Sequence, residues 1–324
     1  MFKQIWVGMI LFCSANVAFA ESQIGWNDWL QSLRGEAITK GIRPEVVDEV
    51  FAQLKKPSPA VLKLDKTQPE RRISFLQYRS SRADDYRIQM GRNLYKKYSA
   101  TLNRISEQYG LSPCFILSFW GLETSYGNYM GQFPVIQSLA TLAYDGRRGE
   151  FFRKQLFYAL EMINDGHVTY EDLKGEWAGA SGHPQFLPSS WHHYSVDQNK
   201  DGKRDIWKTK EDAFASIANY LIKHGWKPGE PWAIVVNLPD NFDPSLIEEK
   251  TRLTVQEWRD RGVTLFSRVS WPNKDLMARV IFPDGGPAML AFHNFDVIMK
   301  WNHSTYYAGT VGYMAEKICE RPLS

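Results

Sequence analysis

Ser112-Pro113-Cys114-Phe115-Ile116-Leu117-Ser118-Phe119-Trp120-Gly121-Leu122-Glu123-Thr124-Ser125-Tyr126-Gly127 is the stretch on which the reading of this chain turns. Ser112 is placed to cap a helix, and Pro113 fits the first turn, where a missing N–H costs nothing. From Phe115 to Leu122 six of eight residues are large and apolar, which predicts a helix with no wet face, buried all round. Gly127 predicts the stop. One carboxylate, Glu123, closes this apolar helix. Desolvation there disfavours the charged form and raises the pKa, which holds an acid protonated near neutral pH for general-acid work. The plainer alternative is a glutamate that only ends a core helix and points to solvent. Residues elsewhere in the chain decide between the two.

The chain has 324 residues, 44% hydrophobic and 23% charged, enough for one large globular domain or two modest ones. Its formal net charge of +3 is too balanced to argue for nucleic acid or for electrostatic membrane binding. The aromatic content is high, with 12 Trp, 15 Tyr and 18 Phe, and flat rings suit the apolar faces of sugars. Residues 1–20 read as a signal peptide. Lys3 supplies the charge, Ile5–Phe12 the apolar run and Ala18-Phe19-Ala20 the cleavage site. Phe12 before Cys13 argues against a lipid anchor. The expected location is periplasmic, and no later stretch is apolar enough to span a bilayer. Cys114 and Cys319 then remain. That compartment permits a disulfide, but Cys114 opens a buried helix, so two free buried thiols are expected.

Residues 21–110 read as a mainly helical accessory region. A helix follows Pro44, Lys55–Pro59 is a break, and a long helical region capped at Thr67–Glu70 runs through Tyr78 to Tyr109. Residues 111–319 carry further helices over Val135–Tyr144, Glu150–Asn164 (Phe151, Phe152, Leu156, Leu160 and Ile163 inward) and Ala213–Gly225. Three glycines near Pro184 mark a tight loop ending in a helix that starts at Pro188, and this loop offers the Gln185 amide to a cleft. Leu246–Glu249 and Val255–Arg261 read as helical. Strands are expected near Trp232–Phe242, Leu276–Phe282 and Ala288–Phe292, then a polar-aromatic bend over Phe295–Tyr307 and a last helix to Cys319.

Asp197-Gln198-Asn199-Lys200-Asp201-Gly202 places oxygen ligands at positions one, three and five and Gly at six, the opening of a calcium loop. The pattern fails at position twelve, Lys208, which cannot ligate. Glu211 or Asp212 can substitute. The alternative is a solvated Asx-rich turn.

Taken together, these blocks resemble the lytic murein transglycosylase B family (glycoside hydrolase family 103). The resemblance rests on Trp120-Gly121-Leu122-Glu123-Thr124 with Tyr126-Gly127, Leu139–Tyr144, Arg147-Arg148 with Phe151-Phe152, Trp177-Ala178-Gly179-Ala180, Gln185-Phe186 and Pro188-Ser189-Ser190. It continues through the Asp197–Trp207 loop, Ala218-Asn219-Tyr220-Leu221, Trp301-Asn302-His303-Ser304 and Tyr306-Tyr307-Ala308, and so covers nearly all of the mature chain. It implies an α+β, mostly helical fold: a lysozyme-like catalytic core with an accessory helical domain and a small β-containing part. It also implies cleavage of the β-1,4 bond between N-acetylmuramic acid and N-acetylglucosamine in peptidoglycan without water, leaving 1,6-anhydromuramoyl ends. Glu123 falls on the position of the single catalytic acid/base. Gln185, Asn302, Tyr220, Tyr307 and Tyr78 fall on cleft positions. Asp197, Asn199, Asp201, the carbonyl of Lys203 and Asp212 fall on a structural calcium site, and no cofactor is implied for the chemistry. The implied partners are peptidoglycan glycan strands, with room for cell-wall synthesis machinery, and the chain is expected to act as a monomer.

The chain departs from the family pattern at four places. Glu176 stands where Ser is expected, Ser181 replaces Met, His183 brings a titratable group to the cleft loop or to the surface, and Trp301 replaces a tyrosine, keeping a ring for stacking. Two rival readings follow. One is a hydrolytic muramidase in which Glu176 or Asp145 activates water, because most glycosidases need two carboxylates. The other is a catalytically silent peptidoglycan-binding protein.

Overall fold

A computed structural model describes residues 24–67, 73–247, 250–267 and 269–320. The signal-peptide reading, the cap at 68–70 and the end of the helix expected over Leu246–Glu249 lie outside them. Three helices open the chain: α1 (Trp26–Thr39), α2 (Pro44–Phe51) and α3 (Pro59–Lys66). The long helical region expected up to Tyr109, with room for an interruption, comprises three helices: α4 (Phe75–Arg82), α5 (Asp85–Lys97) and α6 (Ser99–Tyr109). Local signals mark the start of this region, the break before α5 and its end. Ser74 and Gln77 form a capping box at the start of α4, Asp84 caps α5 by accepting from the Arg87 amide, and Gly110 ends α6 in the left-handed region.

Helix α7 (Pro113–Thr124) begins at the Ser112 cap, as the sequence predicts, and every residue from Cys114 to Gly121 is buried. Around it lie α8 (Val135–Asp145), α9 (Gly149–Asn164), α10 (Pro188–Tyr194), α11 (Lys210–Lys223), α12 (Val255–Asp260), α13 (His293–Trp301) and α14 (Thr305–Cys319). One hydrophobic core runs from Trp29 to Ile318, so the helices before residue 110 share it with those after. Phe151 does not face it. That ring is 43% exposed, and Phe152 beside it is buried.

The strands fall into two sheets. β1 (Phe133–Pro134) pairs with β2 (Lys174–Gly175). The second sheet joins β3 (Ala233–Asn237), β4 (Leu253–Thr254), β5 (Thr264–Leu265), β6 (Met277–Ile281) and β7 (Met289–Ala291), all antiparallel, in the order β4-β6-β7-β3-β5. A small core of its own, with Trp258, Leu290 and Phe292 at the centre, lies against α12. Leu246 ends a single 3-10 turn rather than opening a helix.

Two contacts fix elements that carry site residues. The turn between β6 and β7 accepts the Phe75 amide at the Asp284 carbonyl, 2.7 Å, and so seats the start of α4. On α5, a Cβ at Gly91 would lie 2.4 Å from the Tyr126 hydroxyl, so only glycine lets α5 lie against the turn that follows α7.

Cys114 and Cys319 are joined in a disulfide, which corrects the expectation of free thiols. The start of α7 and the end of α14 pack side by side, a proximity that a separation of 205 residues does not reveal.

Candidate active site

Glu123 occupies the last turn of α7. Its chain then passes through three left-handed residues in a row, Ser125, Tyr126 and Gly127, with φ of 50°, 63° and 84°. Such conformations are costly outside glycine and persist only where the surroundings enforce them. Here the Tyr126 hydroxyl donates to the Arg87 carbonyl, 2.9 Å, and the Arg87 guanidinium donates to Ser125 Oγ, 3.2 Å. The helix is thereby stopped just past its acid.

The Glu123 side chain is half-buried. Oε1 accepts two hydrogen bonds, one from the Trp301 indole N–H at 2.9 Å and a short one from the Tyr307 hydroxyl. No described residue bonds Oε2, so that oxygen is left for a ligand. Burial pushes the carboxyl up to about 7, against the opposing pull of the Tyr307 and Trp301 donors. No second carboxylate is among the groups acting on it. Glu123 is therefore an acid poised between its two forms near neutrality, as a group that must give and then take a proton requires.

The structure brings most of the expected cleft residues together. Tyr307, from the first turns of α14, touches the acid directly, and burial and the Glu123 charge drive its phenol far up. Tyr220 on α11 donates to the Lys300 carbonyl, 2.7 Å, and its ring meets Trp301 edge-on at 4.7 Å. It braces the end of α13, where Trp301 sits. Tyr78 on α4 is close enough for Glu123 to help raise its phenol, after burial and against Arg82. Gln185 takes a left-handed φ of 50° and donates its amide to the carbonyls of Gly182, 3.0 Å, and Met130, 3.2 Å. Its oxygen stays available while the amide ties two cleft loops. Asn302 is exposed at the C-cap of α13, and its side chain bonds no described residue.

Trp301 is the partner that sequence reasoning placed as a stacking ring only. Its ring packs tilted against Phe119 at 4.5 Å and Phe186 at 5.2 Å. Those contacts aim its N–H at Glu123. Indole nitrogen is a donor without acceptor capacity, and a buried Trp usually finds a partner for it. That rule was the available signal.

His183 is neither a titrating cleft group nor a surface histidine. It is 2% exposed and accepts the Trp120 N–H at Nδ1, 3.0 Å. Burial, with the Lys210 charge adding, lowers it to about 3, so it stays neutral. Glu176 is half-buried, and burial raises its carboxyl.

The 197–208 loop curls around its own side chains. Asp197 accepts the amides of Asp201, 3.1 Å, and Gly202, 2.8 Å, while Asn199 Oδ1 also accepts the Asp201 amide, 3.1 Å. This half fits a calcium loop. The other half does not. Lys208 pairs outward with Asp172, 2.7 Å. Asp212 is fully buried and accepts the amides of Gln198, 2.8 Å, Asp205, 2.9 Å, and Asn199, 3.4 Å. Among the described residues no three His, Cys, Asp or Glu side chains are grouped to hold a metal ion.

A helical, lysozyme-like core with one desolvated glutamate at the end of a buried helix, backed by a tyrosine and an indole, defines the lytic transglycosylase class. The chain belongs to the transglycosylase SLT domain family, whose model matches residues 25–316. It is 30% identical over 292 residues to membrane-bound lytic murein transglycosylase B of Escherichia coli (strain K12), covering 86% of this chain and 79% of that protein. The crystal structure of SltB3 from Pseudomonas aeruginosa in complex with NAG-NAM-pentapeptide matches with a TM-score of 0.88 and 38% identity, over 91% of this chain and 80% of that one. The Escherichia coli lytic transglycosylase Slt35 in complex with calcium matches with a TM-score of 0.78 and 31% identity, over 90% and 92%. Among the described residues no helix is long and apolar enough to cross a membrane.

Proposed function

We propose that this protein cleaves the β-1,4 bond between N-acetylmuramic acid and N-acetylglucosamine in peptidoglycan strands, non-hydrolytically, in the periplasm. The observation that carries this is the pairing of one desolvated acid, Glu123, with hydrogen-bond donors alone. Protonated at Oε2, Glu123 gives its proton to the glycosidic oxygen as the C1–O bond breaks. Charge developing at C1 is met by the substrate's own N-acetyl carbonyl and by amide dipoles, a role we assign to Gln185 and Asn302. The carboxylate then takes the proton of the C6 hydroxyl as that oxygen closes on C1, giving the 1,6-anhydro ring and returning Glu123 to its starting form. Trp301 and Tyr307 hold Oε1 throughout, so Oε2 alone turns over protons.

A hydrolytic course needs a second carboxylate to activate water, and no other carboxylate is among the groups that shift Glu123. The first half of the 197–208 loop, with Asp197, Asn199, Asp201 and the Lys203 carbonyl, is assigned to a weak structural calcium, with Asp212 bracing the loop from beneath. The calcium complex of Slt35 supports that assignment, and no catalytic step depends on it. Digesting purified sacculi and identifying the sugar termini tests the function. Anhydromuramoyl ends that disappear with Glu123→Gln are expected, and reducing ends would overturn the reading.

A further inference from the structure

Helix α4 carries, one turn beyond Tyr78, an arginine whose charge no described residue answers. The Arg82 guanidinium carbon lies 5.9 Å over the Tyr78 ring, within the reach at which an aromatic face holds a cation. Its charge is felt at the phenol. Burial pushes Tyr78 up, Arg82 draws it back, and Glu123 adds to the rise. Arg82 and Glu123 thus flank the same tyrosine, although Arg82 is not among the groups that shift Glu123.

Arg82 is exposed. Among the described residues no acid stands within ion-pair distance of it. Asp84, two residues on, commits its carboxylate to the Arg87 amide at 2.7 Å. Arg87 turns its own guanidinium inward, to the Arg82 carbonyl and Ser125. The Tyr78 ring under Arg82 also meets Tyr306, edge-on at 5.9 Å. Among the described residues an unpaired cation therefore stands over an anchored ring, one tyrosine away from Glu123.

A guanidinium accepts a carboxylate through two parallel N–H···O bonds, a match that lysine does not offer. If the substrate is peptidoglycan, as proposed above, the anions borne beside the scissile bond are the carboxylates of its peptide branches. The geometry points to Arg82 as a specificity-determining residue that receives a carboxylate of the peptide branch, with the Tyr78 face holding the guanidinium in place.

The test uses full-length protein carrying Glu123→Gln, so that binding is read without turnover. A disaccharide-peptide with free carboxylates is titrated calorimetrically beside the same compound with those carboxylates amidated. The free acid is expected to bind about tenfold tighter, a difference of about 1.4 kcal/mol. Adding Arg82→Gln should reduce that preference to about twofold or less and flatten its dependence on salt. Arg82→Lys, which keeps the charge and loses the fork, should fall between. Equal binding of acid and amide by the Arg82 protein, or a preference that survives Arg82→Gln, overturns the assignment and leaves the transglycosylase reading standing. Binding of neither compound, with sacculi left intact by wild-type protein, overturns both.

Discussion

Replacing Glu123 with Gln should make the protein more stable above neutral pH, by an amount the site geometry sets. Oε1 accepts from Trp301 and Tyr307, and a glutamine carbonyl can accept both in the same place, so the substitution mimics the neutral acid. The wild-type carboxyl titrates at about 7 in the fold, against 4.5 unperturbed. Between those values the folded state keeps a proton that the unfolded chain has released, so stability falls as pH rises from 4.5 to 7 and the full loss persists above 7. A shift of this size corresponds to about 3 kcal/mol at most, and the partial exposure of the Glu123 side chain reduces it to about 2 kcal/mol. The variant carries no such term, and other titrating groups cancel in the difference. Urea unfolding of both proteins at several pH values measures it. The gain from Glu123→Gln should be near zero at pH 4.5 and about 2 kcal/mol at pH 8. A difference that stays constant with pH, or one that favours the wild type at pH 8, would refute the claim that burial governs this carboxyl.

Trp301→Phe removes a donor that favours the charged form, so the alkaline limb of kcat/KM should move up by about one pH unit; a limb that stays or moves down contradicts the role given to the indole. Tyr307→Phe should shift the same limb in the same direction, measured in the same profile. Replacing Cys114 and Cys319 together with Ser frees a loop of about 205 residues, for which chain entropy gives a loss of roughly 5 kcal/mol; unchanged urea unfolding would argue that the unlinked chain already holds these ends together. Calcium at about 10 mM, against a site near 1 mM, should raise stability by about 1.4 kcal/mol and Tm by about 3 °C. No Tm shift would leave the loop as a plain Asx turn.

The legible parts of this molecule are those where local chemistry and burial agree. Helix α7 could be read from Ser112, Pro113 and an apolar run because, from Cys114 to Leu122, only Ser118 is polar and it is buried. The strands around the Pro283–Gly286 turn were readable for the same reason. Helix α13 was not. Asn294 and Asp296 in its first turn resemble loop residues, yet Asn294 is fully buried and holds the backbone of Lys227 and Glu230. Only the tertiary partner explains a buried amide there. Helix α3, between a proline-rich break and Thr67, is too short for its period to show. His183 was misplaced because its partner, the Trp120 N–H, lies 63 residues away. Glu123 and Tyr307, which the structure brings into contact, were both picked out by motif. The indole was missed as a donor, since a sequence gives a ring but not the direction of its N–H.

The central claim is that Glu123 works alone and that the leaving bond is replaced from within the sugar rather than by water. Digesting peptidoglycan in heavy-oxygen water and weighing the new muramoyl ends tests this directly. The account predicts ends lighter by one water than a reducing sugar and free of solvent oxygen. Heavy oxygen at C1 of the released muramic acid would contradict it.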